Sequence, residues 1–316
     1  MAAPLLRRKS VLAAKVEAGV GTAESLSASE AAFNVFDASI EPMIDYVARE
    51  GQGATLSPIT GTRGPTGGRA KFSVELTGGA SAPAWASTFL PACGLYLNSL
   101  TLTPESKPPE ASGANTKTLT IALYIDGVKK AICGAMGNAV FRFTSGQRIM
   151  VDFDFTGKWI APSNVAVLAP TFPTAAPLRF VSSAVLVGSF SPKIESMEID
   201  LGNTVVLRED SGDATGYHSA VITGRAAKGR MNPELTLTGN HSSSVWDVYA
   251  DWIARTQRQL SLESGTTGNK VAFTCPKMEI TNVTPGERNG LAIEDIEFQL
   301  NRSADAGEDE ISIVMS

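Results

Sequence analysis

Gly68–Gly79 reads GRAKFSVELTGG, and Gly229–Asn240 reads GRMNPELTLTGN. Each stretch opens on Gly-Arg and is followed by a tryptophan at the same interval, Trp85 and Trp246, so one offset of 161 residues relates the two without a gap. In the first stretch Phe72, Val74 and Leu76 alternate with Ser73 and Glu75, the period-two signature of a strand with one buried face. A chain that writes this strand and its tryptophan twice reads as a β unit used twice.

The rest of the sequence can be aligned outward from that pair. Ile40-Glu41 is matched with Ile194-Glu195, and Val47, Arg49 and Glu50 with Val206, Arg208 and Glu209. Ile59-Thr60-Gly61 is matched with Ile222-Thr223-Gly224 beyond a Gly/Ser/Thr-rich loop in each half. Later, Gly146-Gln147-Arg148 with Phe153 and Phe155 meets Gly286-Glu287-Arg288 with Ile296 and Phe298. Alternating runs on either side of Asp126-Gly127 predict a β-hairpin closed by a type I′ turn, and Ala139–Gly157 predicts a second across Thr144–Gln147. Helices are few. Trp85, Phe89 and Leu90 share helical spacing, as do Val245, Tyr249, Trp252 and Ile253, the latter group preceded by Ser244 or a neighbouring serine as cap.

The fold expected is therefore mainly β, with two tandem sandwich or barrel domains and one short helix flanking each. Its parts are an N-terminal arm over residues 1–29, a first β domain over 30–160, a Pro-rich linker over 161–189, a second β domain over 190–302 and a C-terminal arm over 303–316. Pro162, Pro170, Pro173 and Pro177 stiffen the linker. Both arms look unable to pack on their own domain and read, together with the Arg49–Gly68 loop, as segments that order on neighbouring subunits.

Composition narrows the function. With 316 residues and 43% apolar content the chain can bury two cores, and its formal charge of −5 disfavours a protein that grips nucleic acid through a basic face. Cys93, Cys133 and Cys275 are scattered and odd in number, which implies neither a disulfide framework nor a zinc site and fits a reducing cytosol. Lys15 and Glu17 interrupt the apolar start before it reaches signal-peptide length, and no stretch reaches the ~20 apolar residues of a transmembrane helix. The two histidines, His218 and His241, lack metal-ligand spacing, and no G-x-S-x-G elbow accompanies them. The stretches GQGATL and GVGTAES lack the third glycine and preceding strand of a dinucleotide loop. Asp152 and Asp154 could serve acid/base chemistry, but on an alternating strand such residues are more often a solvated face. No enzyme, cofactor or metal is expected.

RKSVLAAKVEAGVGT (Arg8–Thr22), FSVELTGG with APAWASTFLPACG after it, TIALYIDGVKKAICGAMG (Thr120–Gly137) and IESMEIDLGNTVVLRED (Ile194–Asp210) together resemble the tail tube proteins of long-tailed bacteriophages. The resemblance covers most of the chain. It implies a structural virion protein of β-sandwich fold that assembles in the host bacterial cytoplasm and stacks as six-fold rings into the tail tube. Implied partners are other copies of itself, the tape measure, tail terminator and distal tail proteins, and passing double-stranded DNA that is not held tightly. Carrying the unit twice departs from the shortest family members and implies three chains per ring, with pseudo-six-fold symmetry, in preference to six. A lining that lets DNA slide should be neutral to acidic. Candidates for that lining are Ser73, Glu75, Asp152, Asp154, Glu234, Glu297 and Gln299, with Lys71 and Arg142 against the trend, at a strand end or in an inter-subunit pair. Two alternatives stay open, a terminator or baseplate hub of the same fold and a carbohydrate-binding β-sandwich. The second would need exposed aromatic platforms, whereas Trp85, Trp246 and Trp252 read as lying on helix faces.

Overall fold

The computed structural model describes residues 4–53, 55–237, 241–242 and 246–316. The first half contains β1 (Ser10–Val16), β2 (Val35–Arg49), β3 (Ile59–Glu75), α1 (Ala84–Phe89), β4 (Leu95–Asn98), β5 (Thr101–Pro104), β6 (Leu119–Ile125), β7 (Val128–Thr144) and β8 (Met150–Asn164). The second contains β9 (Ala184–Val187), β10 (Ile194–Asp200), β11 (Asn203–Glu209), β12 (Tyr217–Arg225), β13 (Lys228–Pro233), β14 (His241–Ser242), β15 (Trp246–Asp247), α2 (Val248–Ala254), β16 (Arg258–Thr266), β17 (Asn269–Arg288), β18 (Leu291–Asn301) and β19 (Ser312–Met315). The fold is mainly β, with two short α-helices among the described residues.

One sheet runs in the order β2-β3-β8-β7-β10-β13-β18-β17, every neighbouring pair antiparallel. The first four strands and the last four follow the same connections, and β7 meets β10 where the two runs join. At the junction Val140 faces Asp200, Arg142 faces Glu198 and Thr144 faces Ser196. The other portions of β7 and β17 carry flanking pairs: β6 and β1 continue from β7, and β16 and β9 continue from β17. One face of the eight-strand run is apolar because every second residue is apolar, and Phe72, Val74, Phe141, Phe153, Phe155, Met197, Ile199, Met231, Ile296 and Phe298 are buried there. Phe89 of α1 enters that core, with ring centroids 4.8 to 6.1 Å from Phe33, Phe72, Phe153 and Phe155.

Both hairpin turns stand where the sequence puts them. Asp126 and Gly127 take φ of 41° and 108°, the left-handed pair of a type I′ turn, and Gln147 N–H donates to Thr144 O at 3.0 Å with Gly146 at φ 78°.

Several expectations need correction. The terminal arms pack on their own chain: β1 pairs with β6 and buries Leu12, Ala13 and Ala14, while β19 lies between β17 and β5 and buries Ile313 and Met315. Short apolar runs flanked by charge look unable to pack until a free strand edge is available far along the chain. The loop expected over Arg49–Gly68 is strand from Ile59 onward, where β3 pairs with β2. Its glycines and Pro65 are tolerated because the ladder shifts register between Ile44 and Tyr46, the kind of irregularity at which a strand accommodates proline. The linker is pinned as well as extended: Leu178 and Phe180 are buried, and Leu178 N–H donates to Leu76 O at 2.8 Å.

The alignment of the halves shifts in register. Phe72 faces Phe153 and Met231 faces Ile296, so keeping the match of Phe153 with Ile296 equates Phe72 with Met231, an offset of 159 rather than 161. Ile40, opposite Ala70, then corresponds to Ile199, opposite Gly229, and not to Ile194. A slip of two residues keeps every side chain on its face, so alternation alone cannot detect it. Val206, Arg208 and Ile222 fall on the separate β11-β12 hairpin, which branches from the main sheet at Gly202, φ 64°. Trp246 lies in β15 instead of on a helix, and α2 is capped by Asp247, whose carboxylate accepts from Ala250 N–H at 2.9 Å. Ile253 is 82% exposed and does not share the packed face. Ser244, Val245 and the second Thr-Gly, Thr238-Gly239, lie outside the described residues.

Candidate functional site

The face of the eight-strand run opposite the core is polar, because the residues alternating with the buried set are charged or small. All seven lining candidates belong to it. Ser73 and Glu75 lie on β3, Asp152 and Asp154 on β8, and Glu297 and Gln299 on β18, while Glu234 follows β13 in a single bridge to Ile293. Cross-strand register places Ser73 opposite Asp152 and Lys71 opposite Asp154 in the first run, and Arg230 opposite Glu297 and Lys228 opposite Gln299 in the second.

The face is a lattice of ion pairs. Arg69 Nε donates to Asp154 Oδ1 at 2.6 Å, and Lys71 Nζ lies 3.9 Å from Asp154 Oδ2. Arg142 Nε is 2.7 Å from Asp152 Oδ2 and 3.9 Å from Glu198 Oε2, which Arg230 Nη2 approaches to 3.0 Å. Asn138 Nδ2 donates to Asp200 Oδ1 at 2.6 Å, and Ser73 Oγ to Asp152 Oδ1 at 2.5 Å. Lys71 and Arg142 therefore stand within the face, each with a carboxylate of its own chain within 4 Å. Arg142 and Glu198 bridge the junction between the two runs.

One pair recurs. Arg148 Nη1 lies 2.6 Å from Glu75 at the end of β3, and Arg288 Nη2 lies 2.8 Å from Glu234 just past β13. The sequence reading picked the acidic partners and missed Arg69, Glu198, Asp200 and Arg230. Their signal was present in the same alternation, in I-E-S-M-E-I-D and G-R-M-N, but was not followed across the junction.

Of the groups elsewhere that could carry chemistry, His218 is engaged and the three cysteines are sealed. His218 Nε2 is 2.8 Å from Glu110 Oε1, and His241 stands on β14. Burial pushes the Cys133 thiol up to about 11 and that of Cys275 to about 12, and raises Cys93 well above the ordinary thiol range, so all three remain protonated and inert. Among the described residues no cluster of three or more His, Cys, Asp or Glu side chains is arranged to hold a metal ion.

A buried carboxylate near the start of the chain was not singled out from sequence. Glu17, 7% exposed, accepts from Thr118 Oγ1 at 2.7 Å, Thr120 Oγ1 at 2.8 Å, Gly134 N–H at 2.7 Å and Gly21 N–H at 2.9 Å. It fastens the segment after β1 onto β6 and β7. Gly134, at φ 59°, takes a left-handed conformation that favours glycine, and lets the backbone approach Gly21 and Ser219 so closely that a side chain would be crowded.

Compared with known families, residues 7–300 match the model of a family described as phage tail tube protein. No curated protein matches the chain.

Proposed function

The chain belongs to the phage tail tube protein family, and on that premise we propose that three copies close a ring of pseudo-six-fold symmetry, stacked rings forming the tube through which DNA passes. It is a structural component of the virion tail. The carrying observation is the β7-β10 junction, where one four-strand run continues into a second with the same connections. If each run occupies one of six positions, three chains fill the circle, and covalent linkage raises the effective concentration of the second unit. In this reading the repeated units are the two runs with their flanking strands, and the polar face lines the lumen.

The ion-pair lattice supports a lining that DNA passes without sticking. Phosphates bind by releasing mobile counterions from basic groups, but Arg69, Lys71, Arg142 and Arg230 already have carboxylates within 4 Å that belong to the same chain. A passing phosphate would displace a tethered anion and gain little entropy. The tape measure, terminator and distal tail proteins are the partners proposed for the tube's interior and ends, with assembly in the host cytoplasm.

Cryo-EM averaging of the assembled protein tests the reading. Three chains per ring with both runs in one inner barrel is the expected result. Six whole chains per ring, with the second run decorating the outside, would sink the proposed arrangement. A population of single rings that never stack would favour a tail terminator instead.

A further inference from the structure

The eight-strand run ends in two edges without a partner. No described strand pairs with the outer edge of β2, and none pairs with β17 on the side away from β18 beyond Thr281. Long unpaired edges are templates for another chain unless they are blunted. Inside the chain the equivalent edges are joined to each other, as β7 and β10, so the structure contains one completed example of the contact that each free edge lacks.

We propose that β2 of one copy pairs antiparallel with β17 of the next, in the register that β10 keeps on β7. This rests on the tube reading and assigns its chain-to-chain contact. Cross-strand partners carry the register across: Ile40 corresponds to Ile199, and Ala139, opposite Phe153, corresponds to Val283, opposite Ile296. The Val140-Asp200 pairing becomes Thr284 opposite Glu41, and the Arg142-Glu198 pairing becomes Gly286 opposite Ser39. One step further, the bulge at Asp37, held at φ 52°, is brought toward Arg288, which Glu234 and Glu195 already face within its own chain.

The arm formed by the outer parts of β2 and β3 supports the same partner. Its counterpart, the β11-β12 hairpin, folds onto the first unit of its own chain, with Leu207 seated against Gly67, Lys158 Nζ 2.8 Å from Asp213 and Thr66 N–H donating to Thr215 O at 2.8 Å. The outer part of β2, by contrast, is exposed from Glu41 to Arg49. Ile44, Tyr46, Val47 and Ile59 are 49%, 74%, 46% and 47% exposed. Apolar side chains concentrated on one projecting hairpin mark an interaction surface. With β2 on the next copy's β17, the arm lies over that copy's second unit as β11-β12 lies over the first.

Disulfide trapping in assembled protein reads the register. Glu41→Cys with Thr284→Cys should convert most of the protein, on oxidation, into covalent dimers and trimers on a non-reducing gel, and each single variant should stay monomeric. Asp37→Cys with Thr284→Cys lies four residues out of register, about 13 Å at strand spacing, and should not cross-link. Ser39→Cys with Gly286→Cys reports the same register if the first pair blocks assembly. The buried native cysteines keep the background low. Tubes verified by electron microscopy in which neither in-register pair cross-links, or in which the offset pair links equally well, would overturn the proposal and leave the tube reading intact. If the parent chain forms no tubes, the tube reading itself fails.

Discussion

Replacing Asp152 and Asp154 with asparagine should make the polar face hold DNA more tightly than the parent face does. The double variant keeps the shape of both side chains and removes the carboxylates that Arg69, Lys71 and Arg142 face at 2.6 to 3.9 Å. Stability should barely change, because these pairs are partly exposed, with side-chain exposures of 31 to 57%, and such pairs contribute about 0 to 1 kcal/mol each. Affinity for DNA should change far more. Three freed cations give a slope of log K against log salt of about −2.7, so raising salt from about 50 to about 200 mM should weaken binding by roughly 40-fold. If Glu198, 3.9 Å from Arg142, keeps that cation occupied, two cations remain, the slope is about −1.8 and the loss roughly 12-fold. Fluorescence anisotropy with a labelled duplex at both salt concentrations measures the slope on isolated subunits and needs no tube. A variant that binds duplex no more tightly than the parent at low salt, or binds it with no salt dependence, would refute the argument that tethered carboxylates keep this face from holding DNA.

Three further outcomes follow from the packing. Glu17→Ala strips four hydrogen bonds from a buried carboxylate and should cost about 4 kcal/mol or more in urea unfolding, since each orphaned buried donor costs about 1 to 3 kcal/mol; a loss below about 1 would mean that water replaces the carboxylate. Phe89→Ala, in the centre of a cluster of four other phenylalanines, should destabilise by about 3 to 5 kcal/mol by the same assay, and a loss under about 1 would mean that the core refills the space. Hydrogen bonds from Lys158 and Thr215 lower the Asp213 carboxyl from 3.8 to about 2, so its contribution is complete above the unfolded value and is lost as pH falls through the folded one. Asp213→Asn should therefore flatten the fall of stability between about pH 4 and about pH 2, and an unchanged acid profile would show that Lys158 does not rely on Asp213.

Local pattern carried much of the fold. The strand around Phe72, the Asp126-Gly127 hairpin and the charged stripe of Asp152 and Asp154 all follow from period-two alternation and turn chemistry, which depend only on neighbours in sequence. What escaped was set by partners far away. The Gly-Arg pairs at residues 68–69 and 229–230 look equivalent, yet their cross-strand partners place them two residues apart, and only long-range pairing reports that. Lys71 and Arg142 looked anomalous because the carboxylates that neutralise them sit on other strands, one of them across the junction. Glu17 was read as an interruption of an apolar run, and its four donors come from residues 21, 118, 120 and 134. Arm and strand cannot be told apart in residues 10–16 or 312–315 without knowing which edges are free.

The position of β19 ties the order of synthesis to competence. Residues 312–315 fill the gap between β17 and β5, with Ile313 facing both Phe273 and Leu102. A nascent chain that has already made its first two hundred residues still carries β5 with an uncovered edge, and the ladder stays open until residues 312–315 have been made. Domains fold largely in the order in which they are made, but here the earlier half is sealed by one of the latest segments. A chain made only as far as β18 thus leaves the Leu102 edge of its first half open until residues 312–315 follow.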